Sequence, residues 1–290
     1  MEYHADRFPD YSLLIFEDDS LVAVLPAHRE VNSVYSHRGL TYGGFVLTRK
    51  SKLAGVIAIL RAVMQFMESD GVEFFEVKSI PMIYHLLPSA ETDYALIVAG
   101  ATLERRDSLS VIDLQTPFKI AKTRMESVRR GHKNQLVIRE DNNFDLFWNS
   151  VLIPNLKTKH NAKPVHSLEE ITMLHRRFPK NIRHFNVYGE NGIEAGTTVF
   201  VSENVAHPQY VSGRENKNET GALDYLYHHL ITDVFRDKKY FDFGISNEEN
   251  GMKLNGGLAF WKESFGARTI TQDFYRLAVG NHDQLDTVIL

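Results

Sequence analysis

The sequence predicts an α+β protein built as two domains. Three observations carry that prediction. Strand-like and helix-like segments alternate over all 290 residues. Each half holds a run of short β-rich segments with helices between them. The length lies at the upper edge of what one hydrophobic core can organise, so two half-size cores fit it well.

In the first half, Tyr11–Glu17, Leu21–Pro26 and Val31–Tyr35 read as short strands. Asp18-Asp19-Ser20 and the polar His28–Glu30 break them. A turn-rich stretch from Gly39 to Gly44 leads into Phe45–Leu47. From Leu53 to Met67 the apolar positions recur at helical spacing, which predicts an amphipathic helix. That run carries Arg61 and Gln65 and is too short to cross a bilayer. Phe74–Ile80 reads as a strand closed by Pro81. Tyr94–Ala99 and Ser110–Leu114 read as two more. A helix opens at Thr116-Pro117, runs to Arg130 and stops at Gly131.

The second half repeats the plan. Asn143–Ile153 and Ser167–Arg177 are helical, the latter opening with a Ser-x-x-Glu capping box. Ile182–Tyr188, Gly196–Val201 and Gln209–Ser212 form an antiparallel meander. Then come the helix Ala222–Asp237, the strand Tyr240–Phe243, the helix Gly257–Phe265 and the strand Asp273–Ala278. The predicted limits are 1–118 for the first domain, 119–140 for a basic junction helix and linker, and 141–290 for the second domain.

Composition narrows the chemistry. There are no cysteines, which excludes disulfides, thiolate metal sites and a cysteine nucleophile. The N-terminus is acidic and aromatic and lacks a signal-like apolar core, so a cytoplasmic location is expected. Net charge is only −4, yet it is unevenly spread. From Lys119 to Arg183 fourteen Lys and Arg face six Asp and Glu, leaving a +8 segment in a chain whose remainder is −12. Such a tract suits a phosphate-bearing ligand, or it simply solvates helix faces. Neither a zinc-binding His-Glu-x-x-His, a nucleophile elbow, a P-loop nor a dinucleotide fingerprint occurs. The thirteen histidines are scattered, and no metal is expected.

Three stretches stand out. Ser36-His-Arg-Gly-Leu-Thr-Tyr-Gly-Gly44 puts Gly43 and Gly44 before an apolar strand, where backbone can approach a ligand or make a bulge. In Tyr240-Phe-Asp-Phe-Gly-Ile-Ser246, Asp242 interrupts an aromatic strand. A carboxylate there needs a partner and either handles a proton or cation or anchors a neighbouring helix. In Leu258-Ala-Phe-Trp-Lys-Glu-Ser-Phe-Gly-Ala267, Lys262 sits amid aromatics, either as an anion contact or as a snorkelling side chain.

In this order the three stretches resemble the FemAB-like branch of the GNAT (GCN5-related N-acetyltransferase) superfamily. That branch carries a Ser-x-x-Gly-Leu-x-Tyr-Gly-Gly segment, a basic junction helix (here Lys119 to Lys133), an aromatic Asp-x-Gly-x-Ser strand and a Phe-Lys-x-x-Phe-Gly-Ala helix. The resemblance runs from Tyr11 to Leu277. It implies tandem GNAT-like domains, each a mixed, mostly antiparallel sheet flanked by helices. It further implies transfer of an acyl or aminoacyl group, from acyl-CoA or aminoacyl-tRNA, to an amine of a cell-envelope precursor of the sugar or peptidoglycan type. Asp242 is then the candidate proton acceptor or orienting group, and Lys262 an electrostatic contact. Ser36, Tyr42, Gly43 and Gly44 line the acceptor cleft. Arg124, Arg129, Arg130 and Lys133 meet phosphates. Arg214, Lys217, Gly221 and Ala222 occupy the place of the loop that holds the CoA pyrophosphate in GNAT enzymes, with a different glycine spacing. That departure keeps open a second reading, a non-catalytic pair that binds a metabolite or nucleotide-sugar. A third is binding of tRNA through the +8 segment.

Overall fold

The protein is described by a computed structural model covering residues 5–289, with the side chains of Lys159 and His160 left aside. In chain order its elements are β1 (Leu13–Glu17), β2 (Ser20–Leu25), β3 (His28–Glu30), β4 (Ser33–Tyr35), β5 (Val46–Leu47), α1 (Leu53–Ser69), β6 (Phe74–Lys78), α2 (Glu91–Val98) and β7 (Thr102–Asp113). They continue as α3 (Lys122–Lys133), β8 (Val137–Glu140), α4 (Phe144–Phe147), α5 (Ile153–His160), α6 (Leu168–Arg177), β9 (Ile182–Gly189), β10 (Gly192–Val201) and β11 (Val205–Gly213). The last are α7 (Lys217–Thr220), α8 (Ala222–His229), β12 (Tyr240–Ile245), β13 (Asn247–Glu248), β14 (Lys253–Leu254), α9 (Gly256–Glu263) and β15 (Arg268–Ala278).

Two compact units result. The first comprises residues 1–107, 249–252 and 271–290; the second comprises 108–248 and 253–270. Neither is a single stretch of chain, because the last strand returns to the first unit. The first half of β7 belongs to one unit and its second half to the other.

In the first unit, β3 and β4 form a tight hairpin, β4 runs parallel to β6, and β6 pairs antiparallel with β15. A small sheet of β1, β2 and β5 stands beside them. The core is closed by α1 and α2, which bury Leu60, Met64 and Met67, and Ala95 and Leu96, with Phe75 and Leu25.

In the second unit, β7 pairs antiparallel with β12, β12 is parallel to β11, and β11, β10, β9 and β8 follow antiparallel. One core gathers Ala195, Val199, Leu226, Leu230 and Phe241. Another gathers Phe144, Phe147, Trp148, Ile193 and Tyr210. β10 therefore takes part in both, and seven successive residues from Ile193 to Val199 are buried. The fold is α+β, each unit carrying a mixed, mostly antiparallel sheet flanked by helices.

Several elements differ from the sequence expectation. Tyr94–Val98 lies in helix α2, with Ala99 as its C-cap, rather than in a strand; a six-residue apolar run cannot fix its own period, and Glu91 and Asp93 in the first turn favour the helix. His28–Glu30 is a strand, because Val31, at φ 53°, and Asn32 turn the chain there. Thr116 does not cap a helix: its hydroxyl donates to the Asp113 carbonyl, and α3 starts at Lys122. Gly131 lies inside α3 rather than ending it, since a Cβ there would stand 2.7 Å from Tyr225 Cβ. The helices from α4 and α8 each pass into a π-helical turn, Trp148–Leu152 and Leu230–Val234.

Candidate active site

In the second unit the parallel strands β11 and β12 pair only at Val205–Tyr240 and Ala206–Phe241. Beyond that they part. A bulge separates Thr198–Tyr210 from Val199–Pro208, and Pro208 has no N–H to offer a ladder. On the other strand Gly244 adopts φ 73°, where a Cβ would also lie 3.1 Å from the His207 ring.

His207, the first residue past the last strand pair, reaches across the opening. Its Nδ1 lies 3.0 Å from the Asp242 carbonyl oxygen and 3.2 Å from Asp242 Oδ2. Both neighbours are acceptors, so Nδ1 carries a proton and Nε2 is the ring nitrogen left to face other groups. Asp242 is fully enclosed, with 0% exposure. Its Oδ1 accepts the Gly244 N–H at 2.7 Å. Lys262, 4% exposed, donates to the carbonyls of Gly244 at 2.9 Å and Ile245 at 2.6 Å. Burial pushes the Lys262 ammonium down to about 8, and the Asp242 charge opposes that shift. Nearby in sequence, Ser246 is buried and its Oγ has no hydrogen-bond partner among the described residues. The second unit thus brings together an imidazole, a buried carboxylate beside it and a buried ammonium.

The basic helix α3 packs on the start of α8. Gly221 has φ 75°, and a Cβ there would lie 2.2 Å from the Ser127 carbonyl oxygen. Arg130 donates to Ser127 Oγ at 3.0 Å and to the Asn218 carbonyl at 3.2 Å. Arg124 pairs with Asp224 at 2.9 Å, whose other oxygen accepts the Trp261 N–H. Ala222 is buried in the core, while Arg129, Lys133 and Arg214 are exposed and Lys217 half-buried. Gly221 and Ala222 are therefore packed against α3 and the core, and Arg124 is engaged by Asp224. Arg129 and Lys133 present their charge to solvent.

In the first unit the glycine-rich motif closes on the end of β6. Ser36 Oγ accepts the Lys78 N–H at 2.8 Å, and the Gly43 N–H donates to the Lys78 carbonyl at 3.1 Å. A Cβ on Gly43 would stand 1.8 Å from the Ser36 carbonyl oxygen. Tyr42 packs on Tyr84 with ring centroids 4.3 Å apart. Lys78 donates to the Leu40 carbonyl; burial, reinforced by the Arg105 charge, pushes it down to about 8. Ser36, Tyr42, Gly43 and Gly44 are thus brought together on one strand end. His207 and Lys78 escaped the sequence reading. The signal for His207 is its register, one step past a parallel pair, which a scattered set of thirteen histidines hides.

Among the described residues no cluster of three or more His, Asp or Glu has the arrangement of a metal site, and no helix is long and apolar enough to cross a membrane. No family model and no curated protein matches the sequence. Solved structures do match the fold. The crystal structure of FemX superimposes with a TM-score of 0.67 at 9% identity, covering 97% of this chain and 90% of that one. The C-terminal domain (DUF2156) of a proposed lysylphosphatidylglycerol synthetase from Agrobacterium fabrum gives 0.62 at 12% identity, over 97% and 86%. L-PGS from Bacillus licheniformis gives 0.60 at 11%, over 95% and 89%. The chain has a FemX-like fold, in agreement with the FemAB-like resemblance of its motifs.

Proposed function

We propose that the protein transfers an acyl or aminoacyl group, from acyl-CoA or aminoacyl-tRNA, to an amine of a cell-envelope precursor of sugar or peptidoglycan type. The observation that carries this reading is the enclosed His207–Asp242 pair beside Lys262, set where parallel strands part in a FemX-like fold.

The chemistry is direct aminolysis. The acceptor nitrogen attacks the donor carbonyl, a C–N bond forms, and the C–S or C–O bond to the donor breaks. His207 Nε2 takes the proton that the amine sheds, with Asp242 holding the imidazole and offsetting its charge. Both Asp242 oxygens are engaged and it is shut off from solvent, so it acts through His207 rather than on substrate. An ammonium has three donors; Lys262 commits two to backbone carbonyls, and its positive charge favours the developing oxyanion. The departing thiolate or alkoxide regains a proton. Arg129 and Lys133 offer charge to a phosphate on the precursor or on tRNA, while Ser36, Tyr42, Gly43 and Gly44 shape the acceptor side. A cytoplasmic location completes this reading.

A second reading is a non-catalytic pair that binds a metabolite or nucleotide-sugar. It is favoured by the closeness of α3 to Gly221, which occupies the corner where a GNAT loop would take pyrophosphate. Melting curves with acetyl-CoA, a longer acyl-CoA and charged tRNA, followed by assay of the stabilising donor with amine acceptors, separate the two. Stabilisation by one donor with transfer to an amine is the expected result. Stabilisation without transfer selects the binding module, and no stabilisation by any donor removes the transferase.

A further inference from the structure

The small sheet of the first unit has one face on the core and one face open. Leu13, Ile15, Val22 and Leu47 pack on the first-unit core. The outward positions follow from the register: Leu14 stands opposite Val24, Phe16 opposite Leu21, and Val24 opposite Val46. An antiparallel sheet with one solvated face should alternate apolar with polar residues. Here all five outward residues are apolar, and none joins a core cluster of the described residues. Leu14, Phe16, Leu21 and Val46 are exposed at 62%, 55%, 44% and 54%. Single exposed apolar side chains are ordinary, but a contiguous patch across three strands marks a contact surface.

The two flanks of this face carry opposite charge at the same end. Glu17, Asp18 and Asp19 make the tip of the β1–β2 hairpin. β5 leaves the sheet at that end, because the Thr48 N–H donates to the Val22 carbonyl. It runs on into Arg49, Lys50 and, after Ser51, Lys52; all three bases and all three acids are exposed.

Two copies packed face to face share a twofold axis between the sheets, lying along the strands or across them. With the axis along the strands, β1 lies over β5 of the other copy, and each acidic tip lies over a basic turn. With the axis across the strands, each tip lies over the far end, where the chain entering β1 carries another acid, Asp10. Charge therefore selects the first arrangement. The acidic tip also disfavours an anionic lipid surface as the occupant.

We propose that the outward face of β1, β2 and β5 is a self-association surface, on which a second copy of this chain packs about a twofold axis along the strands. Leu14 and Phe16 of one copy meet Val46 of the other, and Leu21 and Val24 meet their own counterparts. Three strands about 4.8 Å apart, each with five residues of about 3.4 Å, give a face of roughly 14 by 17 Å. That is well under the roughly 800 Å² per partner of a standard interface, so the dimer is weak and reversible, with a dissociation constant of about 10–100 μM. Association needs neither donor nor acceptor, so the proposal stands apart from the transferase reading.

Sedimentation velocity of the full chain from about 5 to 500 μM tests it. A concentration-dependent shift from monomer to dimer is expected. Leu14→Ser with Phe16→Ser should leave a monomer over the whole range, with a melting curve like the parent's at low concentration. Glu17→Lys with Asp19→Lys, and separately Arg49→Glu with Lys50→Glu, should each weaken the dimer by about tenfold or more, since tip and turn then repel. Mixing these two charge variants should restore the dimer, because each tip again meets a turn of opposite sign. A parent that stays monomeric at the highest concentration would overturn the proposal, whether or not it binds lipid vesicles. So would a dimer that survives Leu14→Ser with Phe16→Ser, or a mixture of the two charge variants that stays monomeric.

Discussion

Each unit contains one parallel strand pair, and the residue just past the last paired position bridges to the partner strand in both. In the first unit that residue is Ser36, whose hydroxyl takes the Lys78 N–H and, with Gly43 packed against its carbonyl, seals the end of the pair. In the second it is His207, whose ring spans the parted strands to the carbonyl and carboxylate of Asp242. The same register thus yields a closed joint in one unit and an opening spanned by an imidazole in the other. Size and chemistry of one side chain make the difference.

The sharpest way to break that contrast is to make the second unit like the first. His207→Ser should lower acyl transfer by about two orders of magnitude or more, the usual loss when a general base goes, with the fall in kcat rather than KM. Asp242→Asn should do nearly as much, because the imidazole loses its orienting charge. Initial rates with the stabilising donor decide it, and wild-type turnover in either variant would remove the assignment.

Next in size is the closed joint itself. Gly43→Ala forces a methyl onto the Ser36 carbonyl and should cost about 3 kcal/mol of stability, read from urea unfolding. A loss under about 0.5 kcal/mol would mean the joint relaxes freely.

A smaller effect compares the two buried lysines. Both Lys262 and Lys78 are held near 8 in the fold, against roughly 10.4 when unfolded. Between those values the unfolded chain binds more protons, so stability rises with pH, while below about 8 the buried charge costs stability. Lys262→Met should flatten that rise by roughly 1 kcal/mol per pH unit and leave the Lys78 contribution in place. Unfolding at pH 7, 8, 9 and 10 checks it; parallel curves for parent and variant would contradict it. The smallest change belongs to exposed Arg129. Arg129→Glu should weaken tRNA or phosphate-ligand binding and reduce the salt slope by about one, measured by titration at several ionic strengths.

Much of this was legible in the residues. The capping box at Ser167 and Glu170 forms as its spacing predicts, the meander pairs in order, and α1 buries the face that its periodicity marked. What escaped depends on contacts between distant residues. Gly131 reads as a helix stop, yet it is a glycine because Tyr225 crowds it from ninety-four residues away. The first half of β7 carries no assignment in the sequence reading, which starts the strand at Ser110, yet Arg106 is matched there by Asp273 at 2.6 Å on the returning last strand. Asp242 declared its need for a partner; only the strand register revealed that the partner is His207.

The double burial of β10 bears on how the molecule breathes. With core on both faces and hydrogen-bonded strands along both edges, its amides from Ile193 to Val199 can exchange with solvent only through wholesale opening of the second unit. The parted end of β11, from His207 to Gly213, is itself paired along this slow element, whereas β12 past Phe241 is not. The wall of the mouth that carries His207 is therefore anchored to the protected strand, and any give in the opening belongs to the β12 side.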